Sequence, residues 1–342
     1  MAYGRRVVKP EAGVFAENTM LKIGSLKLKS NLILAPMSGI TDYPFRMLCR
    51  KFGCELAFIE MINVRALGYN SHKTKEMLFT DKIDRPLGIQ ILGCEEKFLL
   101  RAADILKKHS FDIVDFNAAC PAKKVVRRGE GAGLLKEPKK LNRLLKLVVE
   151  NFAVPVTVKI RTGWDKNSIN PVEVALYAQD AGIKAVFIHG RTREQFYSGK
   201  VDYGAIKKVK KALNIPVIAS GDILSAGLAE KMFAETGCDG ILIARGALGN
   251  PWIFKEIEAS LKDGRLLKKP DGRLITEMMS GHLSSYVDFY GERNGVMLFR
   301  KFFSWYTKGF RKIRPLREKS SRAKTKAAME EIIRECGLRK SN

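Results

Sequence analysis

Val156-Thr157-Val158-Lys159-Ile160, a helical stretch from Val172 to Asp180, and then Ala185-Val186-Phe187-Ile188-His189 form the segment whose reading decides the fold. Each run is short and apolar enough to be buried on both faces, and the stretch between them has helical periodicity. Two such runs joined by a helix make one parallel strand-helix-strand unit. The same alternation extends outward. Leu32 to Ala35, Leu56 to Glu60, Leu87 to Ile91 and Ile113 to Asn117 precede the segment, and Val217 to Ser220 and Ile241 to Ala244 follow it. Lys97 to Lys108, Leu141 to Asn151, Ala205 to Ala212 and Ala226 to Glu235 read as helices between them. Eight repeats favour an α/β fold closed as a (β/α)8 TIM barrel, with an open doubly wound sheet as the competitor.

After Trp252 the pattern changes to helices and basic linkers, with a turn at Pro270-Asp271-Gly272 and helical stretches at Gly281 to Tyr290, Gly295 to Lys308 and Ser321 to Cys336. The expected division is a barrel over residues 1–254 and a smaller all-helical domain over 255–342. Six cysteines, at 49, 54, 94, 120, 238 and 336, form no C-x-x-C pair and no cluster with histidine, so neither a metal site nor a disulfide framework is indicated. Met1 to Asn18 has no apolar h-region and no apolar run approaches membrane-spanning length, so a cytoplasmic protein without a membrane partner is expected.

The formal net charge of +25 points to a polyanionic partner. Eleven lysines and arginines against the single acid Glu318 fall between Arg300 and Lys326, beginning with Arg300-Lys301 and interleaved with Phe302, Phe303, Trp305, Tyr306 and Phe310. Basic charge beside aromatic faces suits phosphates and unstacked bases. An amphipathic helix that buries those rings is the alternative.

In a barrel the reacting groups come from the C-terminal strand ends, where Met37, Glu60, Gln90, Asn117, Lys159, Arg161, His189, Ser220 and Arg245 recur. Cys120, in Asn117-Ala118-Ala119-Cys120-Pro121-Ala122-Lys123-Lys124, follows one such end and is a working-thiol candidate. Ser220-Gly221-Asp222 and Ala244-Arg245-Gly246 end strands seven and eight, where glycines free backbone amides for a phosphate, as in flavin mononucleotide (FMN). Lys159 and His189 would face its ring system. Gly129-Glu130-Gly131-Ala132-Gly133 does not open directly from a strand and reads as a flexible connection.

The chain resembles the tRNA-dihydrouridine synthases of the bacterial B type, FMN-dependent enzymes that reduce uridine in tRNA with NADPH. Ala35-Pro36-Met37-Ser38-Gly39-Ile40-Thr41-Asp42, Gly88-Ile89-Gln90, Asn117 with Cys120-Pro121, Val158-Lys159-Ile160-Arg161, His189-Gly190-Arg191-Thr192, Ser220-Gly221-Asp222 and Arg300-Lys301 with Trp305-Tyr306 carry the likeness, which covers nearly the whole chain. It implies that Pro36, Met37, Ser38, Gln90, Lys159, His189, Ser220, Gly221, Asp222, Ala244 and Arg245 surround FMN, with Cys120 as the acid. It also implies that Asn117 orients the base, that Lys123, Lys124, Arg161, Arg191 and Arg193 lie along the RNA path, and that the helical domain with Arg300 and Lys301 grips tRNA. Ala119 stands where the family often has Gly, and Ser220 where it often has Asn.

The expected reaction delivers hydride to C6 of uracil and a proton from Cys120 to C5, with NADPH, or NADH, as the ultimate donor. The target base must leave its stack to reach the barrel. A monomer is expected. Two rivals stay open: an FMN barrel acting on a free pyrimidine or another small molecule, and an RNA-binding protein with an inactive barrel.

Overall fold

The structure, a computed structural model, describes residues 20–69, 74 and 77–340. Met1 to Asn18, read above for a leader, lies outside the described residues. An antiparallel hairpin of β1 (Leu21–Ile23) and β2 (Leu26–Leu28) precedes β3 (Leu32–Leu34), β4 (Leu56–Phe58), a two-residue β5 (Ile62–Asn63), β6 (Leu87–Leu92), β7 (Ile113–Asn117) and β8 (Val156–Arg161). β9 (Ala185–His189), β10 (Val217–Ser220) and β11 (Gly240–Ile243) complete the strands. β3, β4 and β6 to β11 pair in parallel, and β11 returns to pair with β3, closing an eight-stranded TIM barrel. All eight strands stand where the alternation predicts them. The hairpin and β5 are too short to carry a readable period.

Strand period two sorts the side chains. Val156, Val158 and Ile160 of β8 point outward into the layer between sheet and helices, as do Val114 and Phe116 of β7. Ile33, Leu56, Phe58, Ile113, Phe187, Ile218 and Leu242 instead share a lumen cluster with Leu21, Ile23 and Leu28 of the hairpin, which thereby plugs the N-terminal end. Phe58 and Phe187 meet edge to face at 5.7 Å in that cluster. Apolar packing fills the lower lumen, so polar residues on the same inward register can gather only above it.

Helix Ile253–Asp263 packs against Ala226–Thr236 in the outer ring, and the division expected between residues 254 and 255 falls inside it. Gly272–Tyr290, Glu292–Tyr306, Arg314–Arg322 and Lys326–Lys340 form the C-terminal helical region. The single helix expected over Ser321 to Cys336 is broken at Ala323, whose carbonyl accepts Arg300 Nε and Nη2 at 3.1 and 2.6 Å instead of continuing the helical ladder. Phe302, Phe303 and Tyr306 are buried among Phe45, His282 and Tyr286, so these rings are core rather than stacking surfaces. Nor is Gly129 to Gly133 a loose connection. Residues Gly131–Lys136 form a 3-10 helix that buries Ala132, Leu134 and Leu135, and Ala132 N donates to Cys120 O at 3.1 Å.

The helical region touches the barrel mouth through the first loop. Asp42 caps helix Tyr43–Arg50 by accepting Phe45 N, and its carboxylate also accepts Tyr286 Oη at 2.7 Å and Tyr290 Oη at 3.2 Å. Burial pushes this carboxyl up to about 6 despite those donors and the nearby Lys301. Lys301 donates to Gly39 O, and Gly39 N donates to Glu60. Among the described residues no helix is long and apolar enough to cross a membrane.

Candidate active site

The inward register of β6 to β10 carries Gln90, Asn117, Lys159, Arg161, His189 and Ser220 to the C-terminal mouth of the lumen. Together with Pro36, Met37, Ser38, Cys120, Gly221, Asp222, Ala244 and Arg245 they line one cavity of about 480 Å³. A cavity of that size belongs to the range of small-ligand sites. Eleven residues expected around FMN and the thiol candidate thus come together on one rim. They are drawn from seven separate strand ends.

Two loops form a cradle on one side. Gly221 has φ of +137°, and a Cβ there would lie 2.9 Å from Val201 Cγ2, so only glycine fits without strain. A Cβ on Gly246 would lie 2.0 Å from Ile223 O, so that backbone approach is also closed to a side chain. Asp222 joins the loops by pairing with both Arg191 and Arg245, and these hydrogen bonds hold its carboxyl below the ordinary range. Arg245 also lies over the Tyr197 ring at 4.8 Å.

The floor and far wall hold the titratable groups. Lys159 Nζ donates to Ser220 Oγ at 3.3 Å, and burial, aided by Arg161, lowers the ammonium to about 8. His189 is buried, and its Nε2 has no hydrogen-bond partner. Burial, and then the cations Lys159, Arg161, Arg191 and Arg245, lower this imidazole far below its ordinary value, so it is neutral. Asp115 sits beneath the cavity, accepting Gln90 Nε2 at 2.7 Å and Thr157 Oγ1 at 2.8 Å. Burial raises Asp115 to about 6 against those two donors and the Lys159 charge.

Cys120 is partly buried on the wall. Its N–H and that of Ala119 donate to Asn117 Oδ1 at 2.8 and 2.9 Å. Burial raises the thiol, opposed by the Ala122 N–H and by Arg161, so it is more firmly protonated than an ordinary cysteine. The proton a donor needs is therefore present at neutral pH.

The residues expected along an RNA path separate. Lys123 and Lys124 are exposed on the turn that follows Pro121. Arg161 and Arg191 are buried: Arg161 donates to Ala119 O, Thr192 O and Phe196 O, and Arg191 to Ser198 O and Gly199 O. Arg193 is half-buried, lying over the Trp164 ring at 4.5 Å and the Phe196 ring at 5.5 Å. Arg300 and Lys301 bind the carbonyls of Ala323 and Gly39. Burial of side-chain charge explains the difference, because an inward guanidinium takes its acceptors from the protein rather than from solvent, although Arg191 Nη1 and Arg193 Nε have none. Sequence reading missed Tyr197 and Met61, which line the same cavity. Tyr197 lies eight residues past the end of β9, where strand-end logic does not reach.

The family model for dihydrouridine synthase (Dus) matches residues 33–342, barrel and helical region alike. The chain belongs to the dihydrouridine synthase family. Family members similar to it include tRNA-dihydrouridine synthase B of Pasteurella multocida, 40% identical over 84% of this chain and 87% of the relative. That of Pseudomonas aeruginosa is 41% identical over 84% and 87%. The Xanthomonas axonopodis pv. citri relative, with the same name, is 38% identical over 92% and 95%. As an enzyme family on a TIM barrel it shares its fold more widely: histamine dehydrogenase from Rhizobium sp. 4-9 superposes with a TM-score of 0.54 at 13% identity, over 78% of this chain and 50% of that one. Among the described residues no group of three or more His, Cys, Asp or Glu is arranged to hold a metal ion.

Proposed function

We propose that this enzyme reduces the C5–C6 double bond of uridines in tRNA to 5,6-dihydrouridine, with FMN as its bound cofactor. The observation that carries the reading is the single cavity that gathers a protonated Cys120, a cationic Lys159, a neutral His189 with an unpartnered Nε2, and a glycine-walled loop pair beside Arg245. Curated relatives named tRNA-dihydrouridine synthase B support the choice of substrate.

The residues fit FMN. Gly221 and Gly246 let their loops pack closely on Val201 and Ile223, and the backbone amides of this loop pair would meet a phosphate, with Arg245 supplying charge and Asp222 giving up part of its hold on Arg245 to that anion. Lys159 and the orphaned His189 Nε2 would meet the polar edge of the ring system, and Gln90, Pro36, Met37, Ser38, Ser220 and Ala244 would complete its enclosure. When bound, FMN reduced by NADPH or NADH would supply hydride for C6 of uracil.

Cys120 holds the proton that C5 requires, and its raised thiol keeps that proton through neutral pH. Asn117 Nδ2 and Arg161 shape the wall against which the base would lie. Lys123 and Lys124 are exposed cations on the turn just after Cys120-Pro121 and would meet RNA phosphates, whereas Arg161, Arg191, Arg193, Arg300 and Lys301 act by shaping the rim and the first loop. Extruding a base costs a few kcal/mol, which the basic surface offsets. Barrel and helical region would divide the work between chemistry and tRNA grip, in a cytoplasmic monomer.

The test is nucleoside mass spectrometry of unmodified tRNA after incubation with protein, FMN and NADPH, looking for a two-hydrogen gain on uridine. Cys120→Ala should keep flavin binding and NADPH oxidation while losing at least about a hundredfold in uridine reduction, the usual worth of a positioned acid. A yellow protein that reduces a free pyrimidine at an RNA-independent rate would replace this reading with the small-molecule reductase.

A further inference from the structure

Beneath the cavity runs a chain of hydrogen bonds in which every link has its polarity fixed. Asp115 offers only oxygen, so the Gln90 amide must present Nε2 to it, at 2.7 Å. That leaves Gln90 Oε1 toward Asn117, which must answer with Nδ2, at 2.7 Å. Asn117 Oδ1 then faces the N–H groups of Ala119 and Cys120, at 2.9 and 2.8 Å. All three side chains are buried, Asp115 at 1%, Gln90 at 2% and Asn117 at 5% exposure, so their polar atoms draw most of their partners from the protein. Thr157 Oγ1 closes the far end at 2.8 Å on the other oxygen of Asp115.

We propose that Asp115 is a positioning residue for the thiol: its carboxylate orients Gln90, Gln90 orients Asn117, and the amide oxygen so directed holds the backbone that carries Cys120. The terminal amides of Gln90 and Asn117 are each nearly symmetric in shape, and the chain is pinned at both ends, by the acceptor at position 115 and by the two backbone N–H donors. Remove the carboxylate, and Gln90 Nε2 is left without its acceptor, so Gln90 can shift and withdraw Oε1 from Asn117 Nδ2. Asn117 is then held at one end only, and its support of the Cys120 backbone loosens. This deepens the role given to Cys120 above and rests on it only for the consequence in turnover.

Alkylation of Cys120 by iodoacetamide, followed from pH 7 to 9.5 by peptide mass spectrometry on the full-length protein as purified, reads the thiol without any turnover. Asp115→Leu should alkylate Cys120 about fivefold faster or more, the effect of one lost hydrogen bond loosening the support of its loop. Asp115→Asn, which can still accept from Gln90 and donate to Thr157, should stay within about twofold of the wild type, so the conservative variant rescues the effect. Should Asp115→Leu fail to fold, Gln90→Leu interrupts the same chain one bond further on and should show the same acceleration. Wild-type alkylation in the leucine variant that folds overturns the proposal. Faster alkylation with undiminished uridine reduction supports the positioning role and overturns only the assignment of Cys120 as proton donor.

Discussion

Lys159 gives the sharpest test of the cavity's electrostatics. Burial and the Arg161 charge hold its ammonium at about 8 instead of 10.5, so the free protein loses that charge within an accessible pH range. An anionic ligand in contact with Nζ would favour the charged form and restore the ordinary value. The sign follows directly: protonated Lys159 binds the anion better, so affinity for FMN is full below pH 8 and falls as pH rises above it. If the complex returns to 10.5, Kd should rise about tenfold per pH unit above 8, reaching about thirtyfold by pH 9.5 relative to pH 7. The full linkage corresponds to about 3 kcal/mol. Quenching of flavin fluorescence during titration of FMN into flavin-stripped protein, from pH 6.5 to 9.5 at fixed ionic strength, measures it. Lys159→Met should bind roughly a hundredfold more weakly at pH 7 and show no break. A flat wild-type profile, or a break that survives in Lys159→Met, would refute the reasoning.

Two stability predictions test the scaffold that holds the cavity. His282 is buried beside Tyr306 Oη at 3.1 Å and lowered to about 3 by burial, so the unfolded chain binds its proton below pH 6.5 while the folded one does not. The stability advantage of wild type over His282→Gln should therefore shrink as pH falls from 6.5 toward 4, by about 1.4 kcal/mol per pH unit, in urea titrations. Asp84 is fully buried and pairs with Arg46 Nη2 and Arg50 Nε, each at 2.7 Å, tying helix Tyr43–Arg50 to the segment before β6. Asp84→Ala strands two guanidinium groups and should cost about 3 to 5 kcal/mol in the same assay, and a loss below about 1 kcal/mol would show that solvent reaches them.

The contrast between Arg161 and Lys123 shows where sequence reading stops. Both are basic, both follow a strand end, and nothing in the local sequence separates them. Arg161 lies on the inward register of β8, where three carbonyls from the loops after β7 and β9 accept from its Nε and Nη1. Lys123 lies on a surface turn with no such neighbours. The Arg300 to Lys326 segment teaches the same lesson for aromatics, since its charge pattern is legible but the burial of Phe302, Phe303 and Tyr306 depends on Phe45 and His282, far away in sequence.

By itself the sequence determined eight strand-helix units, because strand and helix periods are local and each apolar run must be buried on both faces, while closure into a barrel over an open sheet was decided by the pairing of β11 with β3. It also determined which polar residues reach the mouth, since inward register at a strand's C-terminal end is a matter of counting by twos. Tertiary structure alone decided how those residues act on one another. The neutral state of His189, the weakened proton hold of Lys159 and the raised thiol of Cys120 arise first from burial by the surrounding strands and loops, and the amide of Gln90 is fixed by Asp115 and Asn117 of the neighbouring strand. Charge and hydrogen-bond polarity are set by distance through space, and the order of residues along the chain does not encode those distances.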